Sequence, residues 1–160
     1  MSTLPDTLRL GEVHLTVRDL DRAVAWYQRS LGLRVHRHEA DVAELGDGTE
    51  TTVVLHEDPQ ALPAGRHAGL YHYALLYPSR EELARAVLRL AATRTPIDGA
   101  SDHGTHEAVY LPDPYGYGIE LATVASEAPD EVLNEASCAA IRGNEAHRLH
   151  LRLNARSTIL

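Results

Sequence analysis

Near its start the chain has a stretch in which hydrophobic and polar residues alternate. Apolar residues with helical spacing follow this stretch. Residues 10–17 alternate and end in β-branched side chains, which predicts a strand. Asp19 then has the side chain of a helix N-cap, and Gly32 suits the left-handed residue that ends a helix. Between them, the apolar residues have the spacing of one helical face: Leu20, Ala23, Val24, Tyr27 and Leu31.

Three short strands are expected after this helix, at 33–38, 42–45 and 51–56. Asp47-Gly48 supplies a hairpin turn between the last two. Residues 57–68 contain two prolines and a glycine with little periodicity, which is typical of a linker.

The same order of elements then restarts. A strand at 70–77 is followed by Ser79 and Glu82, which form a capping box, and Thr95-Pro96 ends the predicted helix. The apolar face of that helix consists of Leu83, Ala86, Val87, Leu90 and Ala91. Strands are predicted at 96–100, 107–111 and 118–124, with a turn at 113–116 before the last one.

The two helix caps, Asp19 and Ser79, are 60 residues apart, so the chain carries an internal repeat. A four-stranded sheet cannot cover its own apolar face, so we expect the sheets of the two repeats to pack together. The predicted fold class is therefore α+β, with two paired βαβββ modules forming a cup-shaped mixed β-sheet. The modules span about 10–57 and 69–125 within one domain of 8–125, and 126–160 is a helical or irregular appendage.

Composition narrows the class of protein. A chain of 160 residues with 44% hydrophobic and 24% charged residues is an ordinary globular domain. The formal charge of −8, without a Lys/Arg cluster, argues against a nucleic-acid partner. No apolar run is long enough to span a membrane or to act as a signal peptide. The single cysteine, Cys138, excludes an intramolecular disulfide, and we expect a cytoplasmic protein.

The repeat also predicts a site, because equivalent positions in two related modules meet near their pseudo-twofold axis. His72 opens the first strand of the second module, and an offset of 60 relates it to Glu12. Glu120 lies between Ile119 and Leu121 on an apolar strand, where a carboxylate is costly unless it is paired or ligated. Glu12, His72 and Glu120 are therefore candidate ligands of a divalent metal, with open positions for water or substrate.

Structural interpretations of the same residues stay open. A histidine on a strand is often only hydrogen-bonded, Glu120 could pair with an arginine, and Glu12 could be solvated. His14 shares the strand face of Glu12 and could replace it as a ligand or line the cup. His103 lies in the polar cluster 101–107, which is either a solvated turn or a source of protons. Tyr110 is either a packed core residue or a binder of an oxyanion.

Several motifs resemble the glyoxalase, bleomycin-resistance and extradiol dioxygenase superfamily, also described as the vicinal oxygen chelate superfamily. The opening motif is VHLTVRDLDRAVAWY at 13–27 with Leu-Gly-Leu at 31–33, and Trp26-Tyr27 replaces the usual Phe-Tyr. GLYHYALL at 69–76, SDHG at 101–104, YLPDP at 110–114 and GIEL at 118–121 resemble its catechol-2,3-dioxygenase-like branch. The likeness covers about residues 8–124 and implies the fold predicted above.

The resemblance also implies a ligand set: a His or Gln on the first strand, a His on the second module's first strand, and a Glu on its last strand. His72 and Glu120 match the last two positions, whereas Glu12 departs from the first. Extradiol dioxygenases use two His and one carboxylate, and these positions offer one His and two carboxylates. Glyoxalase I adds a Glu at the end of module one, near 55–57 here, in a register that the sequence leaves open. Tyr117 stands where members of the superfamily usually have a small polar residue, in the turn before the last strand.

The leading functional prediction is a metal-dependent enzyme whose small, oxygen-bearing substrate chelates iron, manganese, nickel or zinc. Ring-cleaving dioxygenation of a catechol-like compound is the named reaction, and His14 or His103 would transfer protons. The alternatives are a glyoxalase-like lyase or isomerase, and a non-catalytic protein that binds an antibiotic or another small molecule. The aromatic content of 5% argues against a binding protein that buries its ligand among aromatic side chains. The presence of Glu12 at the first ligand position argues for a non-catalytic binding protein. Analogy with small members of the fold predicts a homodimer.

Overall fold

The computed structural model describes residues 11–62, 69–104 and 106–124, and the same series of elements occurs twice within them. The first module contains β1 (Val13–Val17), α1 (Leu20–Trp26), a π-helical turn (Tyr27–Leu31), β2 (Arg34–His38), β3 (Val42–Gly46) and β4 (Thr51–Glu57). The second module contains β5 (His72–Leu76), α2 (Arg80–Ala92), β6 (Gly99–Asp102), β7 (His106–Pro112) and β8 (Gly118–Val124).

Both modules build a four-stranded sheet with the same topology. The strand orders are β1-β4-β3-β2 and β5-β8-β7-β6. In each sheet the first strand pairs in parallel with the last, and the other neighbours are antiparallel. The chain divides into two compact units after Leu62, with Arg29–Gly32 grouped with the second unit. The predicted α+β fold with two βαβββ modules is confirmed.

Helix α1 begins where the sequence predicts, because its first free N–H groups find acceptors. The Asp19 carboxylate accepts a hydrogen bond from the Arg22 N–H at 2.9 Å. The Glu57 carboxylate, at the end of β4, accepts the Leu20 N–H at 2.8 Å. The predicted stripe is buried, and Gly32 has the expected left-handed φ of 77°. The last turn departs from prediction: it is π-helical, and both Ser30 and Leu31 within it are buried.

Helix α2 begins at the predicted cap and ends earlier than predicted. The Ser79 hydroxyl accepts the Glu82 N–H at 3.3 Å, and Leu83, Ala86, Val87 and Leu90 are buried. The helix ends at Ala92 rather than at Thr95-Pro96. The Thr93 hydroxyl donates to the Arg89 carbonyl at 2.9 Å, so it satisfies a terminal acceptor there.

The polar cluster 101–107 is not one open turn. Ser101 and Asp102 belong to β6, and His106 and Glu107 belong to β7. Between them the Asp102 carboxylate accepts the Gly104 N–H at 2.8 Å, and Gly104 adopts a φ of 75°. The hairpin is therefore tighter than the sequence predicts, and its histidines stand on or beside strands.

Some predictions fall on other parts of the chain. The appendage at 126–160, Cys138 and the linker residues 63–68 lie outside the described residues, and the domain bounds 8–125 stay a prediction. Among the described residues, no helix is both long and apolar enough to cross a membrane.

Candidate functional site

The site in the second module centres on Glu120 of β8, whose side chain is only 10% exposed. One carboxylate oxygen, Oε2, lies 2.9 Å from His72 Nε2. The other, Oε1, lies 3.2 Å from the Tyr110 hydroxyl and 3.5 Å from His106 Nε2. A carboxylate removed from water needs such partners, because desolvation disfavours its charged form. The predicted candidates His72, Glu120 and Tyr110 are thus brought together.

Strand register places these side chains on one face of the second sheet. Tyr110 is the partner of Glu120 between β7 and β8, while His72 is the partner of Gly118 between β5 and β8. A Cβ atom on Gly118 would lie 2.3 Å from the Tyr71 carbonyl oxygen. The glycine therefore permits the close approach of β5 that carries His72 to Glu120.

His103 joins the group through Tyr110. Its Nε2 lies 3.0 Å from the Tyr110 hydroxyl. An ionised Glu120 can only accept, so the phenol donates to Glu120 and accepts from the Nε2–H of His103. Burial raises the pKa of Tyr110 above its usual 10, and the charge of Glu120 raises it further. Tyr110 therefore stays protonated and connects His103 to the carboxylate.

Sequence reasoning missed His106 as a member of this group. Its ring stacks on that of His103, with the centroids 4.5 Å apart. Strand alternation could have found it, because His106, Ala108 and Tyr110 are two residues apart on β7 and share one face.

The other two candidates, Glu12 and His14, lie in the first module. His14 Nδ1 is 2.9 Å from His56 Nε2, and the two rings stack with centroids 5.2 Å apart. Glu12 is exposed and immediately precedes β1. Its role as a ligand stays a prediction, and His56 is a partner of His14 that the sequence did not indicate.

The structure gives the register that the sequence left open at the end of module one. His14 pairs with Val54, and Ala74, which the 60-residue offset relates to His14, pairs with Glu120. Val54 therefore takes the place in the first module that Glu120 takes in the second. The nearby Glu57 carboxylate caps α1. An apolar residue thus stands in the first module at the position that Glu120 occupies in the second.

The donor atoms around Glu120 suit a divalent ion in chemistry and in pairwise spacing. When two ligand atoms each lie about 2.1 Å from one ion, their separation depends on the angle between them at the ion. It is about 3.0 Å for a right angle and about 3.4 Å for the tetrahedral angle. The nitrogen-to-oxygen distances of 2.9 Å for His72 and 3.5 Å for His106 are close to these values. Within the described part of the chain, no three His, Cys, Asp or Glu side chains are already arranged as a metal-ion site. The roles of His72 and Glu120 as ligands stay a prediction, and the structure brings the two side chains within 2.9 Å of each other.

Comparison with known proteins gives the class of this molecule. Residues 9–121 match the model of the Glyoxalase/Bleomycin resistance protein/Dioxygenase superfamily, and the chain belongs to this superfamily. Over 124 residues it is 39% identical to the Catechol-2,3-dioxygenase of Bacillus subtilis (strain 168). The alignment covers 76% of this chain and 43% of that relative, so the chain spans less than half of the relative's length.

Solved structures share the fold at low sequence identity. A glyoxalase/dioxygenase from Nostoc punctiforme has a TM-score of 0.65 at 21% identity, with 79% of this chain and 99% of that chain covered. The lactoylglutathione lyase from Agrobacterium tumefaciens has a TM-score of 0.59 at 19% identity, with 74% and 96% covered. These likenesses concern the fold alone.

Proposed function

We propose that this protein is a metal-dependent enzyme that acts on a small, oxygen-bearing molecule, with extradiol cleavage of a catechol-type compound as the reaction. The observation that carries the proposal is the contact of His72 with Glu120 at 2.9 Å on adjacent strands. Both residues stand at positions where the superfamily holds its metal. The identity with a catechol-2,3-dioxygenase supports the named reaction.

The side chains around Glu120 have distinct tasks in this proposal. His72 and Glu120 would hold the ion, which supplies Lewis-acid polarisation of a substrate oxygen when bound. Tyr110 presents a protonated hydroxyl beside Glu120 and can donate to an oxygen placed there. His103 lies behind Tyr110 and can replace or take up that proton through the hydroxyl.

Two other functions remain in competition with this one. A glyoxalase-like lyase or isomerase would use the same metal positions, but the first-module position that corresponds to Glu120 in the second module is the apolar Val54. A non-catalytic small-molecule binder would need no metal, and the replacement of the first-strand ligand by Glu12 favours it. The single cysteine agrees with a reducing compartment, so the cytoplasm is the proposed location.

Metal content is the first test. The purified protein, loaded separately with iron, manganese, nickel and zinc, should retain one of these ions, and His72→Ala should retain none while its circular dichroism is unchanged. His36→Ala is the matched control, because His36 is a histidine of the first module that bonds Thr51. Equal and negligible metal in wild type and His72→Ala would contradict the proposal and favour the small-molecule binder.

The reaction is tested next with the metal-loaded protein. Oxygen uptake that depends on catechol supports the dioxygenase. Turnover of a hemithioacetal without oxygen uptake would instead assign the glyoxalase-like alternative.

A further inference from the structure

Four side chains around the Glu120 carboxylate form a closed ring of contacts. His103 Nε2 lies 3.0 Å from the Tyr110 hydroxyl, and this hydroxyl lies 3.2 Å from Glu120 Oε1. His106 Nε2 lies 3.5 Å from the same carboxylate oxygen, and the His106 ring stacks on that of His103. His106 therefore contacts both ends of the path that leads from His103 to the carboxylate.

Of these two contacts of His106, the ring stack has the better geometry. The ring centroids of His103 and His106 are 4.5 Å apart and their planes are inclined by 28°, which is within the range of favourable aromatic pairs. The distance of 3.5 Å from His106 Nε2 to Glu120 is longer than an ordinary N–H···O hydrogen bond. We therefore expect the main effect of His106 on His103 rather than on Glu120.

His103 is a residue whose side chain needs such a contact to stay in one orientation. It is exposed, in the hairpin between β6 and β7. Its N–H donates to the His106 carbonyl at 2.9 Å, which fixes the backbone of the hairpin but not the side-chain torsions. An exposed side chain populates several rotamers unless further contacts select one. The Tyr110 hydroxyl and the His106 ring are the contacts that select the rotamer seen here.

We infer that His106 is a positioning residue for His103, whose imidazole it holds in the orientation that brings Nε2 to the Tyr110 hydroxyl. This inference rests on the proposed function and deepens it, because His103 supplies protons through Tyr110 in that proposal. When the hydroxyl gives its proton to a substrate oxygen, a protonated His103 replaces that proton through Nε2 and is left as neutral imidazole. His106 takes no part in the transfer itself.

Three substitutions separate the ring of His106 from its nitrogen. His106→Phe keeps a ring that can stack and lacks Nε2, whereas His106→Gln keeps a hydrogen-bond donor and lacks the ring. His106→Ala lacks both. We expect His106→Phe to behave like wild type and the other two variants to lose the alignment of His103. His36→Ala, which removes a histidine of the first module that bonds Thr51, is the control, and circular dichroism of each variant verifies that the fold persists.

NMR spectroscopy of the full chain measures the alignment directly. The nuclear Overhauser signal between the His103 and Tyr110 rings should be present in wild type, His106→Phe and His36→Ala. In His106→Ala and His106→Gln it should weaken severalfold, and at most about tenfold, since the loss of one aromatic pair changes a population by that factor. A wild-type signal in His106→Ala would overturn the inference.

Steady-state kinetics of the metal-loaded variants, with catechol as the substrate, test the consequence. His106→Ala should lower kcat severalfold to about tenfold with KM unchanged, whereas His103→Ala should lower it by about 10²-fold or more. The double variant should lose no more than His103→Ala alone, because a residue that acts only through His103 has no effect in its absence. Additive losses, or rescue by His106→Gln but not by His106→Phe, would also overturn the inference.

The outcomes separate this inference from the proposed function. If wild type shows no metal-dependent turnover, the proposed function fails, and the NMR signal still decides whether His106 aligns His103. If wild type turns over catechol and His106→Ala matches it in both measurements, the inference is wrong and the proposed function stands.

Discussion

At the scale of single residues, the carboxylate of Glu120 is the centre of a polar group in the second module. It accepts from Tyr110 on one oxygen and contacts His72 on the other, while His103 is reached only through the phenol. Among the described residues, no buried side-chain nitrogen or oxygen lacks a hydrogen-bond partner. The carboxylate of Glu120 is thus hydrogen-bonded within the protein, and the imidazoles of His72 and His106 beside it are partly exposed.

Removal of the Tyr110 hydroxyl tests the link between His103 and Glu120. Tyr110→Phe should lower the free energy of unfolding by about 1 kcal/mol, the usual contribution of one hydrogen bond. Metal content should persist, because neither His72 nor Glu120 is altered. Turnover of the catechol-type substrate should fall by about 10²-fold or more if the hydroxyl serves in proton transfer.

Urea unfolding and oxygen-uptake assays measure the two effects of Tyr110→Phe. Tyr71→Phe is the control, since Tyr71 lies beside the His72 ring but is 87% exposed. Wild-type turnover in Tyr110→Phe would exclude the proton-transfer role and leave Tyr110 a structural residue.

At the scale of elements, the pairing of β5 with β8 positions the site. Gly118 faces His72 across these strands, and an added Cβ would lie 2.3 Å from the Tyr71 carbonyl and 3.0 Å from the His72 Cβ. The Tyr71 carbonyl is a backbone group, so it cannot move away from an added Cβ as a flexible side chain could. The spacing of the two strands therefore depends on the glycine.

Gly118→Ala should separate β5 from β8 and displace His72 from Glu120. We expect a loss of about 1–3 kcal/mol in unfolding free energy, typical of overpacking, together with weaker metal retention. Gly99→Ala is the matched control, because a Cβ there meets nothing within 4 Å. Thermal melts and metal analysis of both variants check the prediction, and equal behaviour of the two variants would contradict it.

At the scale of the whole molecule, the chain repeats one module and belongs to a superfamily whose small members commonly associate. The predicted homodimer follows from that analogy. Light scattering at micromolar concentration should give twice the mass of the chain. A monomer mass across that range, with metal content unaffected, would refute the dimer and leave the site of the second module as it is.

The residue pattern by itself determined the two modules and the start of both helices. Strand alternation, the helical stripes and the caps Asp19 and Ser79 act between neighbours in sequence, so they can be interpreted without knowledge of tertiary contacts. The positions of His72 and Glu120 followed from the repeat and from the cost of a carboxylate on an apolar strand. The π-helical turn and the early end of α2 depended on packing and on the Thr93 hydroxyl, and they escaped prediction.

Only the tertiary structure decided which histidines meet which partners. His14 contacts His56, His103 contacts Tyr110, and His106 contacts Glu120. Each of these contacts crosses from one strand or hairpin to another, so it depends on the register between segments that no local pattern specifies. A one-residue change of register would turn each side chain to the other face of its sheet. For that reason the sequence could name His103 and Tyr110 as candidates, while their connection to Glu120, and the place of His106 beside it, required the paired strands.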